Sequence, residues 1–386
     1  MCVGVCVCRA DETRRPRALS LSLSGARARR YLRSSDLLRT RASGQSLMRA
    51  FLDARAAGAP PLAWHTADYA RDWIHPNDEV CPRLAQLEAA AFASDEFVAR
   101  NASARTARLA AALAAATERA NGGRAFSFDF GGVGLCASMD CAMTAVCHGR
   151  GASLPDGVDA RLLAELESLV AFREATKLLH DGAAYARLWS ARLVAEIVGG
   201  ARGDARAAAS AAQLALWSAH DSTVMPLLAA LLGADGWDGA WAPYASVVAF
   251  EFYGPPAGGA LGDGAGAPPT AFRLVYQGAA ITERVAGCEA ARDGAPCAFA
   301  ALEAATRWAF APESCAARPP PPDASAPELG AARARAPTPA AAAIGSGALG
   351  AVAGALATLF VARRRAAPPP KRVQYGALEE LHLREA

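Results

Sequence analysis

The stretch LWSAHDSTVMPLLAALLG, residues 216–233, holds the pattern from which the fold can be predicted. An apolar run meets a turn of small residues that contains His220 and Asp221, and a second apolar run then extends to Gly233. The first run has the length of a buried strand, and the second has the length of a helix that a glycine ends. The sequence therefore predicts a strand over 213–219, a tight turn and a helix.

The turn between this strand and this helix carries an ionisable pair. His220 can donate a hydrogen bond to an anion, and Asp221 can serve as a general acid. The first amides of the following helix add a positive dipole end that faces the same space. Such a turn predicts an anion site, because ligands of open α/β sheets bind outside the carboxyl ends of strands. The alternative is a structural role in which Asp221 caps the helix.

Helices alternate with buried strands along the rest of the chain, and this alternation predicts an α/β domain with a helical cap. Two strands form a hairpin around a loop rich in glycine and proline. The other predicted elements are helices over 42–57, 84–119 and 159–199, the last broken near 180–182, and hairpin strands over 245–253 and 271–278, with the cap drawn largely from 84–200.

A second candidate anion site lies in YLRSSDLLRTRASGQSLMRAF, residues 31–51. An apolar pair precedes Arg33, and residues 34–36 offer side chains that can cap the helix that follows. A guanidinium beside a helix N-terminus can hold an anion by two hydrogen bonds. The alternative is an exposed basic start of a helix.

Together the two segments resemble a known family. RSSDLLRT resembles the RSTDxxRT segment of the histidine acid phosphatases, the larger branch of the histidine phosphatase superfamily. The stretch from SAHDSTVM to VVAFEFY is similar to the second signature of that family, and FRLVYQGAAITERVAGC is similar to its next strand and first late cysteine. The resemblance covers residues 31–315 in the same order. It implies a three-layer α/β domain of the histidine phosphatase type.

The resemblance also implies an activity, the hydrolysis of phosphate monoesters through a phosphohistidine. It makes Arg33 a phosphate clamp, His220 a second clamp and Asp221 the proton donor to the leaving group. Phosphoryl transfer consists mainly of positioning and charge neutralisation, which these residue types supply. We expect a small phosphate ester as substrate, no metal or other cofactor, no nucleic acid partner and, as an assembly, a homodimer.

The RHGxRxP segment, which supplies the nucleophilic histidine in this family, is absent from the sequence. The segment CHGR at 147–150 imitates it in the wrong part of the chain, and in VCVCRADETRRP at 5–16 Ala10 stands where the histidine is expected after Arg9. No residue is therefore assigned as nucleophile. Two explanations stay open: the N-terminus differs from the natural one, or the chain is a pseudophosphatase that binds a phosphorylated ligand. In either case we expect impaired turnover.

Composition bears on partners and compartment. The net charge of +3 is too small to indicate a nucleic acid partner, although residues 1–41 hold ten arginines against three acidic residues. Seven cysteines are spread through residues 81–315 without CxxC spacing, which favours disulfides in an oxidising compartment over a zinc site. The segment Asn101-Ala102-Ser103 is a candidate glycosylation acceptor.

The C-terminal part predicts a membrane anchor. Residues 340–362 carry no charge and, at about 34 Å as a helix, could cross a bilayer of about 30 Å. Basic residues follow directly, which places the tail in the cytosol and the body in a lumen or outside the cell, as in lysosomal-type acid phosphatases. The expected organisation is a basic lead (1–30), the phosphatase-like domain (31–315), a stalk rich in proline and alanine (316–339), a transmembrane helix (340–362) and a cytosolic tail (363–386).

Overall fold

The structure is a computed structural model of the chain, and it divides the chain into two units, residues 1–318 and 319–386. The predicted transmembrane helix, the tail and nearly all of the stalk fall in the second unit and lie outside the described residues. The structure describes residues 3–11, 30–51, 62–75, 77–120, 133–147, 154–210, 212–254 and 268–318.

The first unit contains both strands and helices, but they do not alternate as expected: six of the described helices lie between β2 and β3. The strands are β1 (Val3–Asp11), β2 (Arg30–Ser34), β3 (Leu214–Ala219), β4 (Val247–Gly254), β5 (Ala271–Tyr276), β6 (Ala279–Ala280) and β7 (Cys297–Ala298). The helices are α1 (Leu38–Phe51), α2 (Pro82–Phe92), α3 (Asp95–Asn101), α4 (Ala104–Ala120), α5 (Val133–Cys147), α6 (Ala160–Arg202), α7 (Asp221–Gly236) and α8 (Phe299–Ala305).

One sheet joins these strands in the order β2-β3-β1-β4-β5-β6, with β7 paired to β5. Strands β2 and β3 are parallel, and Ser34 lies beside Ser218. Their carboxyl ends therefore reach the same edge of the sheet. The predicted hairpin is confirmed, since β4 and β5 pair antiparallel.

Strand β3 shows why the domain has three layers. Its side chains alternate between the two faces of the sheet, as in any strand. Leu214 and Leu216 pack with Met48 of α1 on one face. Trp217 belongs to the larger core that also contains buried side chains of α6 and α7. Every residue of β3 is buried because both faces are covered, which explains why its sequence is an almost continuous apolar run.

Strand β1 differs from the expectation that residues 1–30 form a lead before the domain. It lies inside the sheet, antiparallel to β3 and parallel to β4. Val3 pairs with Ala219, whereas Cys8 pairs with Leu214. The backbone of Arg9 therefore lies at the edge of the sheet opposite to His220.

Side chains of α3, α4, α5 and α6 build a second core, in the part of the chain from which a helical cap was expected. Phe97, Leu113, Met139 and Leu169, from α3, α4, α5 and α6, are among its members. The single helix predicted over 84–119 is wrong, since three helices occupy this segment; the first ends at Phe92, and Ser94 caps the second. The predicted break in α6 is confirmed, because His180–Ala183 depart from helical angles.

The described part of the chain contains two disulfides, Cys81–Cys315 and Cys288–Cys297. Cys147 is a free, exposed thiol. Disulfides were expected from the spacing of the cysteines, and this expectation is confirmed for these four residues. Among the helices that the structure describes, none combines the length and the apolar composition needed to cross a membrane.

Candidate functional site

The turn between β3 and α7 presents the predicted pair at the edge of the sheet. His220 has extended backbone angles and precedes the first residue of α7, Asp221. The N-cap position is His220, so Asp221 is the first helical residue and not the N-cap of the alternative interpretation; its carboxylate accepts the Ser222 amide at 2.7 Å. The His220 side chain makes no capping hydrogen bond. Neither ionisable side chain therefore acts as a conventional N-cap of this helix.

The end of β2 meets this turn directly. The Ser35 amide donates to the Ser218 carbonyl at 3.2 Å, and the Ser35 hydroxyl oxygen lies 2.8 Å from Nε2 of His220. The two segments that were singled out in the sequence therefore touch, although these residues are 185 positions apart. Ser35 was not among the predicted site residues, because nothing in a sequence shows which strand ends will be neighbours.

Burial sets the protonation states of the pair. It lowers the pKa of His220 to about 4, and the positive charge of Arg39 and the neighbouring His75 act in the same direction. Burial raises the pKa of Asp221, and Asp140 and Glu174 raise it further against the opposing effects of the Ser222 amide and Arg39. In weakly acidic solution the site therefore holds a neutral imidazole beside a carboxyl group that retains its proton more readily than an exposed one.

Arg33, the predicted clamp, is engaged elsewhere. Its guanidinium donates to the buried carboxylate of Asp72 at 2.6 Å and lies 4.3 Å from the ring centre of Trp73. Among the described contacts, no hydrogen bond or ion pair joins Arg33 to His220 or Asp221. The guanidinium whose charge acts on both members of the pair is that of Arg39, an exposed residue in the first turn of α1.

The segment 62–75 connects Arg33 to the turn. His65 pairs with the outer edge of β2, where its carbonyl accepts the Ser34 amide at 2.9 Å. Further along, the Ile74 carbonyl accepts the Thr223 hydroxyl, and the His75 ring stands edge-on to His220 at 6.1 Å between centres. His75 therefore lies beside His220 and Asp72 holds Arg33, yet no pattern in their sequence indicates either contact.

Within the described ranges the structure assigns no nucleophile in place of the missing RHGxRxP histidine. His148 of CHGR lies outside the described residues, and the backbone of Arg9 lies at the opposite edge of the sheet. Over the ranges that are described, no three His, Cys, Asp or Glu side chains cluster so as to hold a metal ion.

The protonation of His220 predicts a pH-dependent stability. Between about pH 6.5 and pH 4, His220 is protonated in the unfolded chain and neutral in the folded protein. Acidification over this range therefore favours unfolding by up to about 3 kcal/mol. We expect the melting temperature of the wild type to fall over this range and His220→Gln to flatten the fall, as measured by calorimetry.

Asp221 supplies a control of opposite sign. Because its pKa is raised in the fold, it favours the folded state at low pH and loses that contribution as the pH rises through its folded pKa. Asp221→Asn should therefore make the melting temperature rise more steeply with pH. Identical slopes for the wild type and both variants would contradict these protonation states.

The chain resembles known proteins at the level of solved structures. No protein-family model and no curated protein matches the chain. Among solved structures, the chain is similar to a phytase from Klebsiella sp. ASR1, with 16% sequence identity and a TM-score of 0.43. The similarity covers 76% of this chain and 81% of the phytase.

Proposed function

We propose that this chain binds phosphate monoesters between the ends of β2 and β3 and hydrolyses them as an impaired histidine acid phosphatase, because the segment with the nucleophilic histidine is absent from its sequence. The observation that supports this most directly is the hydrogen bond between Ser35 and His220. It joins the segment that resembles RSTDxxRT to the segment that resembles the second signature of that family. Two distant resemblances that meet at one strand edge are stronger support than either alone.

The charges around the turn suit a phosphate ester. Arg39 and the positive dipole end of α7 offer positive potential for phosphoryl oxygens. We also propose Arg33 as a phosphate clamp that uses the N–H groups not bonded to Asp72. Its Nε has no hydrogen-bond partner among the described residues. Asp221, whose pKa is raised by burial, is the proton donor to the departing alcohol.

A second candidate function is the binding of a phosphorylated ligand without turnover. It is favoured by the absence of RHGxRxP from the sequence and by the direction of β1, which carries Arg9 away from His220. Loss of a covalent nucleophile costs several orders of magnitude in rate while an electrostatic site persists. Turnover of nitrophenyl phosphate by the chain distinguishes the two candidates, because both require phosphate binding and only the first releases nitrophenol.

The two disulfides bear on the compartment. Such bonds persist in oxidising environments. They support the proposal that the body of the protein lies in a lumen or outside the cell, with residues 340–362 as the membrane anchor.

Orthovanadate binding tests the site itself. We expect Arg39→Gln to weaken binding about tenfold, because it removes the cation whose charge acts on both His220 and Asp221. Arg41→Gln is the matched control, since Arg41 is another exposed cation on α1. Isothermal titration calorimetry on the full chain measures each dissociation constant.

Arg33 needs a separate variant, because its removal strands a buried carboxylate. In Arg33→Met with Asp72→Leu the pair is replaced by apolar groups of similar size, which is tolerated better than loss of one partner. This double variant should fold and bind vanadate about tenfold more weakly if Arg33 is a clamp. Unchanged binding in both the Arg39 and the Arg33 variants, or none by the wild type, would contradict the proposed site.

A further inference from the structure

The hydrogen bond to His220 is one end of a buried chain of hydroxyl groups. The Ser35 hydroxyl oxygen lies 2.8 Å from Nε2 of His220 and 2.8 Å from the Thr40 hydroxyl oxygen. The Thr40 hydroxyl in turn lies 2.7 Å from the Leu37 carbonyl and 3.1 Å from the Ser35 carbonyl. Both Ser35 and Thr40 are fully buried, so water does not compete for these contacts.

Counting protons along this chain gives each bond a direction. A carbonyl oxygen only accepts, so the single proton of Thr40 is donated to the Leu37 carbonyl. The Thr40 oxygen then accepts from Ser35, whose single proton is used in that bond. The Ser35 oxygen is left as an acceptor toward His220, and Nε2 must therefore carry the hydrogen.

We propose that Ser35 and Thr40 are positioning residues that hold His220 as the tautomer with its hydrogen on Nε2, leaving Nδ1 as a hydrogen-bond acceptor for the ligand. The two nitrogens of an imidazole point in nearly opposite directions. Since Nε2 is engaged by buried Ser35 while His220 as a whole is only half-buried, Nδ1 is the ring nitrogen left for a ligand. The His220 side chain also makes no capping bond to α7.

This tautomer specifies the chemistry of the ligand, an inference that rests on the proposed function. A neutral imidazole with a lone pair on Nδ1 repels an ionised phosphoryl oxygen and attracts one that carries its own proton. The low pKa of His220 agrees with this, because the ring stays neutral in weak acid. The ligand class is therefore a phosphate monoester in its singly protonated form, and a fully ionised tetrahedral anion is a poor substitute.

Nitrogen NMR of the full chain with ¹⁵N-labelled histidine rings tests the tautomer without any ligand. At neutral pH we expect the His220 signals, assigned by their loss in His220→Gln, to show a protonated Nε2 and an unprotonated Nδ1. The preferred tautomer should exceed the other about tenfold. A His220 that carries its hydrogen on Nδ1 would overturn the proposal, and this measurement needs no variant of the hydroxyl chain.

Variants of Thr40 test whether the hydroxyl chain sets the His220 tautomer, because Thr40 has no hydrogen bond to His220 itself. Thr40→Val frees the Ser35 proton to turn toward His220, so we expect the tautomer ratio to fall about tenfold toward equality. Thr40→Ser keeps the hydroxyl and should restore the wild-type ratio. Thr223→Val is the control, since it also removes a buried hydroxyl-to-carbonyl bond beside the turn. Equal tautomer ratios in Thr40→Val and Thr223→Val would overturn the role of the hydroxyl chain.

Phosphate and sulfate, compared at one pH, test the ligand chemistry. At about pH 5.5 inorganic phosphate carries acidic protons and sulfate carries none. We expect phosphate to bind at least about tenfold more tightly than sulfate. Equal binding of both anions would overturn the acceptor role of Nδ1. If neither anion binds, the proposed function fails, while the tautomer measured in the absence of ligand still decides on the role of the hydroxyl chain.

Discussion

Asp221→Asn is expected to slow the hydrolysis of an alkyl phosphate by about 100-fold or more, and that of nitrophenyl phosphate far less. An alkoxide leaves only with a proton, whereas nitrophenolate is stable enough to leave without one. Asp221 is suited to supply that proton because burial raises its pKa and Asp140 and Glu174 raise it further. The ratio of kcat/KM for the two substrates, measured on wild type and variant, gives the effect.

The matched control is Asp36→Asn. Asp36 is an exposed carboxylate in the turn that follows β2, so this variant makes the same chemical change outside the proposed proton path. It should leave the substrate ratio unchanged. Equal losses on both substrates in Asp221→Asn would contradict a role in protonating the leaving group. If the wild type hydrolyses neither substrate, the second candidate function, binding without turnover, is favoured instead.

Loss of the Cys81–Cys315 disulfide is expected to be the largest single loss of stability. The bond closes a loop with a sequence separation of 234, whereas Cys288–Cys297 closes one of 9. If disulfides act by restricting the unfolded chain, these separations correspond to about 5.5 and about 2.6 kcal/mol. Unfolding of Cys81→Ser/Cys315→Ser and of Cys288→Ser/Cys297→Ser in urea measures both contributions.

The surroundings of the long-range bond give the prediction a structural readout. Cys81 immediately precedes α2, and Arg83 of that helix pairs with Glu313 at 2.7 Å. Hydrogen exchange of α2 and of residues 313–318 should therefore rise together when Cys81–Cys315 is lost. A greater loss of stability from the short-range pair would contradict the assignment of Cys81–Cys315 as the main covalent constraint.

The site was only partly accessible to sequence reasoning. His220 and Asp221 could be found because the strand, the turn and the helix around them follow one another along the chain. Arg33 could be named, but its ion pair with Asp72 could not, since Asp72 lies 39 residues away in a segment with no distinctive pattern. Arg39 and Thr40 lie inside RSSDLLRT. Their relation to His220 depends on the direction in which α1 leaves β2, which the sequence does not show.

Strand β1 shows the same limit at the level of the fold. The alternation in residues 3–11 permits a strand, yet nothing in it states whether the strand belongs to the sheet or which way it runs. Its direction follows from its pairing with β3 and β4, residues that are more than 200 positions away. That direction decides that Arg9 is no substitute for the arginine expected before a nucleophilic histidine.

Local pattern was enough to establish the turn at His220, the hairpin of β4 and β5, the break in α6 and the presence of disulfides, because periodicity, glycine positions and cysteine spacing act over a few residues. Tertiary structure decided the rest: the bond from Ser35 to His220, the capture of Arg33 by Asp72, and the two disulfide pairings. Burial and partnership depend on residues that the chain brings together only when the sheet forms, and the protonation of His220 and Asp221 follows from that burial.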